Sequence, residues 1–230
     1  MKILAFIPAR MGSKELKNKN LKIFDGKPLV YYSIKTAKNN KHLIPFVSTD
    51  SKKILNYAKK NNINFNYLRP KRLSGDKSEI IHAVLHALNW FKNRNLNFDA
   101  VMLLQPTSPV RLKKEVNKII NVFKKRKLQS IVSAIKYKDI IDTLEKRKNK
   151  WFYVLNGKIR SPNRQNFKSN FYTIDGSIYL AKTSFIQKNK SFIKEGFTKI
   201  FETSVTPMID INNLLDFKIA EFLKRKFYKI

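Results

Sequence analysis

Ile3-Leu4-Ala5-Phe6-Ile7-Pro8-Ala9-Arg10-Met11-Gly12-Ser13-Lys14 lies at the start of the chain, and Lys19-Asn20 closes the segment. Residues 3–7 are uninterruptedly apolar, the pattern of a strand buried on both faces, as in a parallel sheet. Pro8 and Gly12 then break the strand, and Arg10, Ser13, Lys14 and Lys19 gather in the loop beyond it. Such a junction can place backbone N–H groups, a hydroxyl and several cations around a polyphosphate. The spacing is neither a Walker A loop, which needs a second glycine before Lys-Ser/Thr, nor a GxGxxG fingerprint. An ordinary βα turn also uses Gly and Ser, so the residue types alone leave both readings open.

The pattern continues outward from that junction. Val30, Ile34 and Ala37 share a helical face after Pro28, and Ile44 to Val47 reads as a strand ending at Ser48-Thr49-Asp50. Ile54, Leu55 and Ala58 mark a helix, and Asn64 to Leu68 reads as a strand before Arg69-Pro70. Ile81, Leu85 and Leu88 fall on one helical face. Ala100 to Leu104 is an apolar strand stopped by Gln105-Pro106-Thr107-Ser108-Pro109, where two prolines forbid continuation. Val116, Ile119, Ile120 and Phe123 form another helix stripe, and Ser130 to Ile135 another strand. Strands alternating with helices predict a mostly parallel α/β sheet covered on both faces. Ligands in such sheets bind beyond the carboxyl ends of the strands, where Arg10 to Asn20, Ser48 to Asp50, Arg69 to Asp76 and Gln105 to Arg111 all fall. From about Tyr137 to Phe171 the rhythm lapses into charged and aromatic segments such as Trp151-Phe152-Tyr153-Val154. That reads as an inserted β-rich arm or lid within a single domain, its exposed aromatics suited to a partner subunit. The sheet resumes over Tyr172 to Leu180, and Leu215, Ile219 and Phe222 mark a last helix.

Composition adds bounds. Forty-eight Lys+Arg against 16 Asp+Glu give a net charge of +32 over 230 residues, which raises the question of a nucleic-acid or membrane partner. The cations are spread along the whole chain rather than gathered in a tail, which favours a solvated lysine-rich surface with weak, non-specific polyanion binding. The chain has no cysteine, which removes disulfides, thiolate metal sites and cysteine nucleophiles. No apolar stretch is long enough for a membrane span or a signal-peptide core, so a soluble cytoplasmic protein is expected.

Among the remaining candidates, Asp210 follows an extended segment just before a helix. It suits Mg²⁺ completed by water and phosphate oxygens, or alternatively a helix N-terminus, where Asn212 and Asn213 are the nearer caps. His82 and His86 stand i,i+4 on a helix without an HExxH context, which favours packing or surface roles. Ser48 and Ser108 have no evident base partner.

Ile7 to Lys14 with Lys19-Asn20 resembles the signature of the acylneuraminate cytidylyltransferases, the CMP-sialic acid synthetases with their legionaminate and pseudaminate relatives. The resemblance continues in order through Val47-Ser48-Thr49-Asp50, Leu68-Arg69-Pro70, Asp76, Leu103 to Pro109 with Arg111, Arg164-Gln165, Gly176-Ser177-Ile178-Tyr179, and Ile209-Asp210-Ile211 leading to Leu215-Asp216. It spans essentially the whole chain. It implies a nucleotide-diphospho-sugar-transferase-like fold and a homodimer with an exchanged arm. The implied reaction is Mg²⁺- or Mn²⁺-dependent transfer of CMP from CTP to a nonulosonic acid, with release of pyrophosphate. By the same resemblance Arg10, Ser13, Lys14, Lys19, Asn20 and Arg69 would bind CTP. Gln105, Arg164, Gln165, Asp175 and Tyr179 would face the sugar acid, and Asp210 with Asn212 would hold the metal, so that Arg10, Lys19 and Asp210 carry catalysis. The chain departs from the pattern where Asn212 replaces the second Asp of Asp-x-Asp, Glu15 replaces a Gly, Asp175 replaces an Asn, and Lys77-Ser78-Glu79-Ile80 replaces a small polar stretch. The alternatives are a repurposed polyanion binder and a cytidylyltransferase for another acid such as Kdo.

Overall fold

The structure, a computed structural model, describes residues 1–13, 15–136, 143–148, 150–154, 171–205 and 209–228. Strand β1 (Ile3–Pro8) leads through a hairpin of β2 (Ile23–Phe24) and β3 (Lys27–Pro28) into α1 (Val30–Lys38). Next come β4 (Leu43–Ser48), α2 (Lys52–Lys60), α3 (Ile80–Lys92), β5 (Ala100–Leu103), α4 (Lys113–Lys125) and β6 (Ser130–Lys136). A second hairpin, β7 (Leu144–Arg147) and β8 (Lys150–Tyr153), precedes β9 (Tyr172–Lys182), α5 (Thr183–Asn189), β10 (Lys199–Glu202) and α6 (Leu214–Phe227).

The main sheet has the order β10-β6-β9-β5-β1-β4. β1 pairs in parallel with β4 and β5, and β10 with β6, while β9 runs antiparallel between β5 and β6. The mostly parallel sheet expected from the alternating pattern is therefore present. From β1 the chain crosses to β4 on one side, then returns to β5 on the other. That reversal opens a crevice beyond the carboxyl ends of β1 and β5, where Pro8-Ala9-Arg10 and Gln105-Pro106-Thr107 emerge.

β1 shows why the run 3–7 is wholly apolar. Ile3, Ala5 and Ile7 face a cluster built with Val30, Ile34, Ile54, Ile119 and Phe123 from α1, α2 and α4. Leu4 and Phe6 face the opposite cluster, with Val84, Ala87 and Phe91 of α3 and Ile186 of α5. Each of the larger side chains, fully removed from water, stabilises by about 1.5–3 kcal/mol before entropy is counted. A third cluster joins Leu16 of the first loop to Ile209, Ile211 and Phe217 near the other end of the chain. That packing carries the Asp210 segment to the first loop.

Two expectations are corrected. Residues 64–68 form no strand: one backbone bond, Arg69 N–H to the Thr49 carbonyl at 2.7 Å, ties their end to the β4 exit, and no ladder builds on it. Tyr67 is nonetheless buried, so the segment is held by its rings rather than by its backbone. Helix α6 exists, but its expected stripe points outward, with Leu215, Ile219 and Phe222 at 67%, 48% and 60% exposure. Phe217, Ala220 and Lys224 face inward instead. Phe217 packs edge-on against Phe24 at 5.4 Å, and Lys224 and Arg225 both bind the Asp25 carboxylate, so the hairpin fixes the helix rotation.

Within the stretch expected as an arm, β7 and β8 pair antiparallel, with Leu144 opposite Tyr153 and Lys146 opposite Trp151. Trp151, Phe152, Tyr153 and Val154 are all exposed. The rest of the expected arm lies outside the described residues. Among the described residues no helix is long and apolar enough to cross a membrane.

Candidate active site

Two clefts open beyond the strand ends, and they meet at Ile80 and Gln105. The first, about 240 Å³, is lined by Pro8, Arg10, Ser13, Lys19, Asn20 and Arg69 on one side, and by Leu73, Gly75 and Ser78 on the other. It thus gathers five of the six residues expected around the nucleotide; Lys14, the sixth, lies outside the described residues.

The loop is held from several directions. The Asn20 amide nitrogen donates to the Arg10 carbonyl at 2.8 Å, and the Met11 N–H donates to Asp50 Oδ1 at 2.8 Å. Arg10 Nη1 reaches Asp76 Oδ1 at 2.7 Å and the Ser74 carbonyl at 3.3 Å, which draws residues 74–76 over the cleft. Arg69 is buried, donating from Nε to Ser48 Oγ at 3.0 Å and from Nη2 to the Ser48 carbonyl at 2.5 Å. Burial lowers the Arg69 guanidinium below its ordinary range, with Tyr67 and Asp50 opposing that shift. Two carboxylates, Asp50 and Asp76, thus already sit on donors of this loop, as expected of a surface built to attract anions.

Lys19 connects this cleft to the far end of the sequence. Its Nζ donates to the Ile211 carbonyl at 2.8 Å, and the Ile211 N–H in turn donates to the Thr107 carbonyl at 2.9 Å. Desolvation lowers the Lys19 pKa, opposed by the charge of Asp210. Asp210 is half-buried, and Asn212 Nδ2 donates to its Oδ2 at 3.2 Å. Asn213 is the α6 cap: its side chain accepts from Asp216 N–H at 2.9 Å, and Asp216 Oδ2 accepts from the N–H of Asn212 and Asn213. Asp210 is therefore left out of the cap, which removes the structural alternative for it. One carboxylate beside one amide is a donor set that Mg²⁺ accepts when substrate phosphates and waters supply the rest. Among the described residues no three His, Asp or Glu side chains cluster as a self-sufficient metal site.

The second cleft, about 250 Å³, is lined by Gln105 and Tyr179, as expected, together with Glu79, Lys190, Ser191, Phe192 and Ile193. Tyr179 and Phe192 are in ring contact at 6.1 Å. Burial raises the Tyr179 hydroxyl pKa, and the charges of Asp175 and Asp210 add to the shift. Asp210 thus acts electrostatically on Lys19 in one cleft and on Tyr179 in the other. Sequence reasoning missed residues 190–193; the available signal was Asn189-Lys190-Ser191, a polar stop ahead of an isolated apolar pair. Lys190, at φ 50°, ends α5 in the left-handed region and turns the chain into the cleft.

Other expected residues fall elsewhere. Asp175, assigned to the sugar acid, lines neither cleft: it is buried, its Oδ1 accepting from Ser133 Oγ at 2.5 Å and from the Ser177 N–H at 2.9 Å. Arg164 and Gln165 lie outside the described residues. His86 Nδ1 is hydrogen-bonded to the Tyr67 hydroxyl at 2.9 Å, and His82 is exposed beside Glu79, so the pair serves packing and surface. Ser48 Oγ is taken by Arg69, and Ser108 Oγ is buried without a hydrogen-bond partner among the described residues.

A cation-lined cleft at the switch point of a mostly parallel sheet, joined to a second mixed cleft, defines a nucleotide-handling α/β enzyme. Comparison with known proteins makes that specific. The family model described as Cytidylyltransferase matches residues 4–229, and the chain belongs to that family. It is 32% identical to the CMP-N,N'-diacetyllegionaminic acid synthase of Legionella pneumophila, covering 97% of this chain and 96% of that one. It is 28% identical to a pseudaminic acid cytidylyltransferase of Campylobacter jejuni, with 97% and 96% covered. It is also 29% identical to the N-acylneuraminate cytidylyltransferase of Escherichia coli, covering 98% of this chain and 52% of that one. Among solved structures, CMP:2-keto-3-deoxy-manno-octonic acid synthetase complexed with CTP superposes with a TM-score of 0.72 at 14% identity, covering 98% and 99% of the two chains. That likeness is one of fold. The chain is a CTP-dependent cytidylyltransferase.

Proposed function

We propose that this enzyme transfers CMP from CTP to the anomeric hydroxyl of a sialic-acid-like nonulosonic acid. The observation that carries the reading is the bond from Lys19 Nζ to the Ile211 carbonyl, which seats the nucleotide loop against Asp210. The printed names of the relatives, which act on legionaminic, pseudaminic and N-acylneuraminic acids, support the substrate class. In the reaction the anomeric oxygen forms a bond to the α-phosphorus as the α–β anhydride breaks, and pyrophosphate departs. CTP occupies the first cleft, with Arg10 and Lys19 neutralising the leaving group, Ser13 and Asn20 binding alongside, and Arg69 on the nucleotide. The acid occupies the second cleft against Gln105, Tyr179 and Phe192, with Lys190, a cation that lines this cleft, to meet its carboxylate. Positioning and charge neutralisation supply most of the rate in such transfers. Asp210, with the amide of Asn212, would hold a Mg²⁺ that neutralises phosphate oxygens. The protein acts as a cytoplasmic homodimer, where CTP is available and where the exposed hairpin aromatics are covered.

A pyrophosphate-release assay with CTP, Mg²⁺ and a panel of N-acetylneuraminic, legionaminic, pseudaminic and Kdo acids tests the proposal. Release with a nine-carbon acid is the expected result. Release with Kdo alone, or with none of the four, overturns it.

A further inference from the structure

We propose that Arg111 is a positioning residue that sets the spacing of Gln105 and Tyr179 across the second cleft. The inference rests on the reading that this cleft takes the sugar acid. Arg111 lines neither cleft, and the sequence places it at the end of the Gln105–Arg111 stretch and in the resembling block without giving it a role.

The geometry is specific. Arg111 is 4% exposed, and its guanidinium donates to three acceptors on three elements. Nη2 reaches the Gln105 carbonyl at 2.6 Å, Nε the Ser177 carbonyl at 2.7 Å, and Nη1 Ser33 Oγ of α1 at 3.1 Å. Gln105 forms the wall shared by both clefts, and Ser177 stands two residues before Tyr179 on β9. One buried group therefore holds both polar sides of the second cleft and anchors them to α1.

The strand is shaped to offer that carbonyl. The β6–β9 register passes from Val132↔Tyr179 to Ala134↔Ile174, so residues 175–178 stand out of the regular ladder. Gly176 makes the bend at φ +73°, and a Cβ placed there would lie 3.2 Å from Ser108 Oγ. Asp175 and Ser133 pin the bulge from behind, through the N–H groups of Ser177 and Ile178. The Ser177 carbonyl is then left for Arg111.

The energetics argue against simple space-filling. Burying a cation is costly, and an apolar side chain of similar volume would often be as stable or more so. Its three bonded acceptors are neutral, and burial lowers the guanidinium to about 9, opposed by the charge of Asp175, so it remains a cation at neutral pH. A planar fork is suited to fixing three acceptors at set angles; a lysine, as a point charge on a flexible stem, is not.

The test is Arg111→Lys in the full chain, using the panel acid that releases most pyrophosphate. The expected result is a KM for the acid raised about tenfold or more with kcat also lowered, since misplacements near 1 Å cost on that scale. The Kd for CTP, measured by calorimetry without acid, should stay within about twofold, which a general loss of structure would not allow. An unchanged acid KM, or an equal rise in CTP Kd, overturns the proposal. If Arg111→Lys does not fold, Ser33→Ala removes one of the three bonds from outside both clefts. It should raise acid KM in the same direction with CTP Kd unmoved, and no change in acid KM overturns the proposal. Gln105→Ala run in parallel separates the two possible failures. If it leaves acid KM unchanged, the cleft reading fails; if it raises acid KM while Arg111→Lys does not, the positioning role fails.

Discussion

Lys19 is where the chemistry of single residues is most exposed to test. Its pKa is lowered chiefly by desolvation, while Asp210 and Glu15 oppose the shift and Arg10 adds to it. The cation that neutralises the leaving group is therefore lost, as pH rises, earlier than an ordinary lysine would lose it. CTP KM should climb on that alkaline limb, and Lys19→Arg, which stays charged, should push the climb to higher pH. A titration of CTP KM from about pH 7 to 10.5 reads the difference, and coincident curves would remove Lys19 from the nucleotide site. Stability moves the opposite way. A folded state that disfavours the protonated lysine gains relative stability as pH rises from the lowered pKa towards the ordinary value. Asp210 yields a second prediction. Asp210→Ala should lose turnover by about 10²-fold or more without a fall in Tm, because α6 is capped by Asn213 and Asp216. Asn212→Asp, which adds a carboxylate beside Asp210, should maintain turnover or raise it at low Mg²⁺. Full activity in Asp210→Ala would dismiss the metal assignment.

At the scale of elements, α6 carries the Asp210 segment, and its start and its seat are separable. Asn213→Ala breaks the capping box and should cost about 1 kcal/mol, read as a Tm fall of a few degrees. Asp25 seats the helix at its other end through Lys224 and Arg225, whose hydrogen bonds and charges lower the Asp25 pKa. Its contribution is present above the ordinary carboxylate pKa and is lost as pH falls through the lowered one. Asp25→Asn should therefore destabilise at neutral pH and narrow its gap to the parent in strong acid. The legibility of the fold divides at this scale. β1, β4 and β5 are readable as short apolar runs that fit buried strands, and helices α1 to α4 because each buries a regular face whose period survives in sequence. The rotation of α6 was not, because Leu215, Ile219 and Phe222 have the right spacing while Phe24 and Asp25, far away in sequence, select the other side. Residues 64–68 look like a strand because Ile63, Phe65 and Tyr67 alternate, but their rings are held by Phe46 and Phe91 rather than by a ladder. In the site, Arg10, Ser13, Lys19, Asn20 and Arg69 were legible as one motif-bearing loop and its neighbour. Asp175 is set into the backbone of a strand bulge rather than along either cleft, a placement that its residue type does not spell, since a carboxylate there reads the same whether it faces ligand or backbone. Residues 190–193 gave too weak a signal to be noticed alone.

The whole molecule carries +32 charges and a hairpin that displays Trp151, Phe152, Tyr153 and Val154 to solvent. Lys146 stands 5.6 Å over the Trp151 ring and shields part of it, yet Leu144 beside it is exposed too. We propose that these exposed apolar side chains meet a second copy of this chain. The charge gives that association an unusual sign. Two copies of one strongly basic protein repel each other, and the repulsion is screened as the Debye length falls from ~10 Å at 0.1 M salt to ~3 Å at 1 M. Apolar burial is not weakened by this screening. The dimer should therefore tighten as NaCl is raised, whereas any binding to DNA should weaken steeply over the same range through counterion release. Sedimentation velocity across a salt series reads both on the same sample. Trp151→Lys with Tyr153→Lys should shift the protein to monomer at every salt concentration while its Tm changes little, because neither ring enters the three buried clusters. A dimer that loosens with salt, or one that survives the double substitution, would place the interface elsewhere and leave the hairpin aromatics to a different partner.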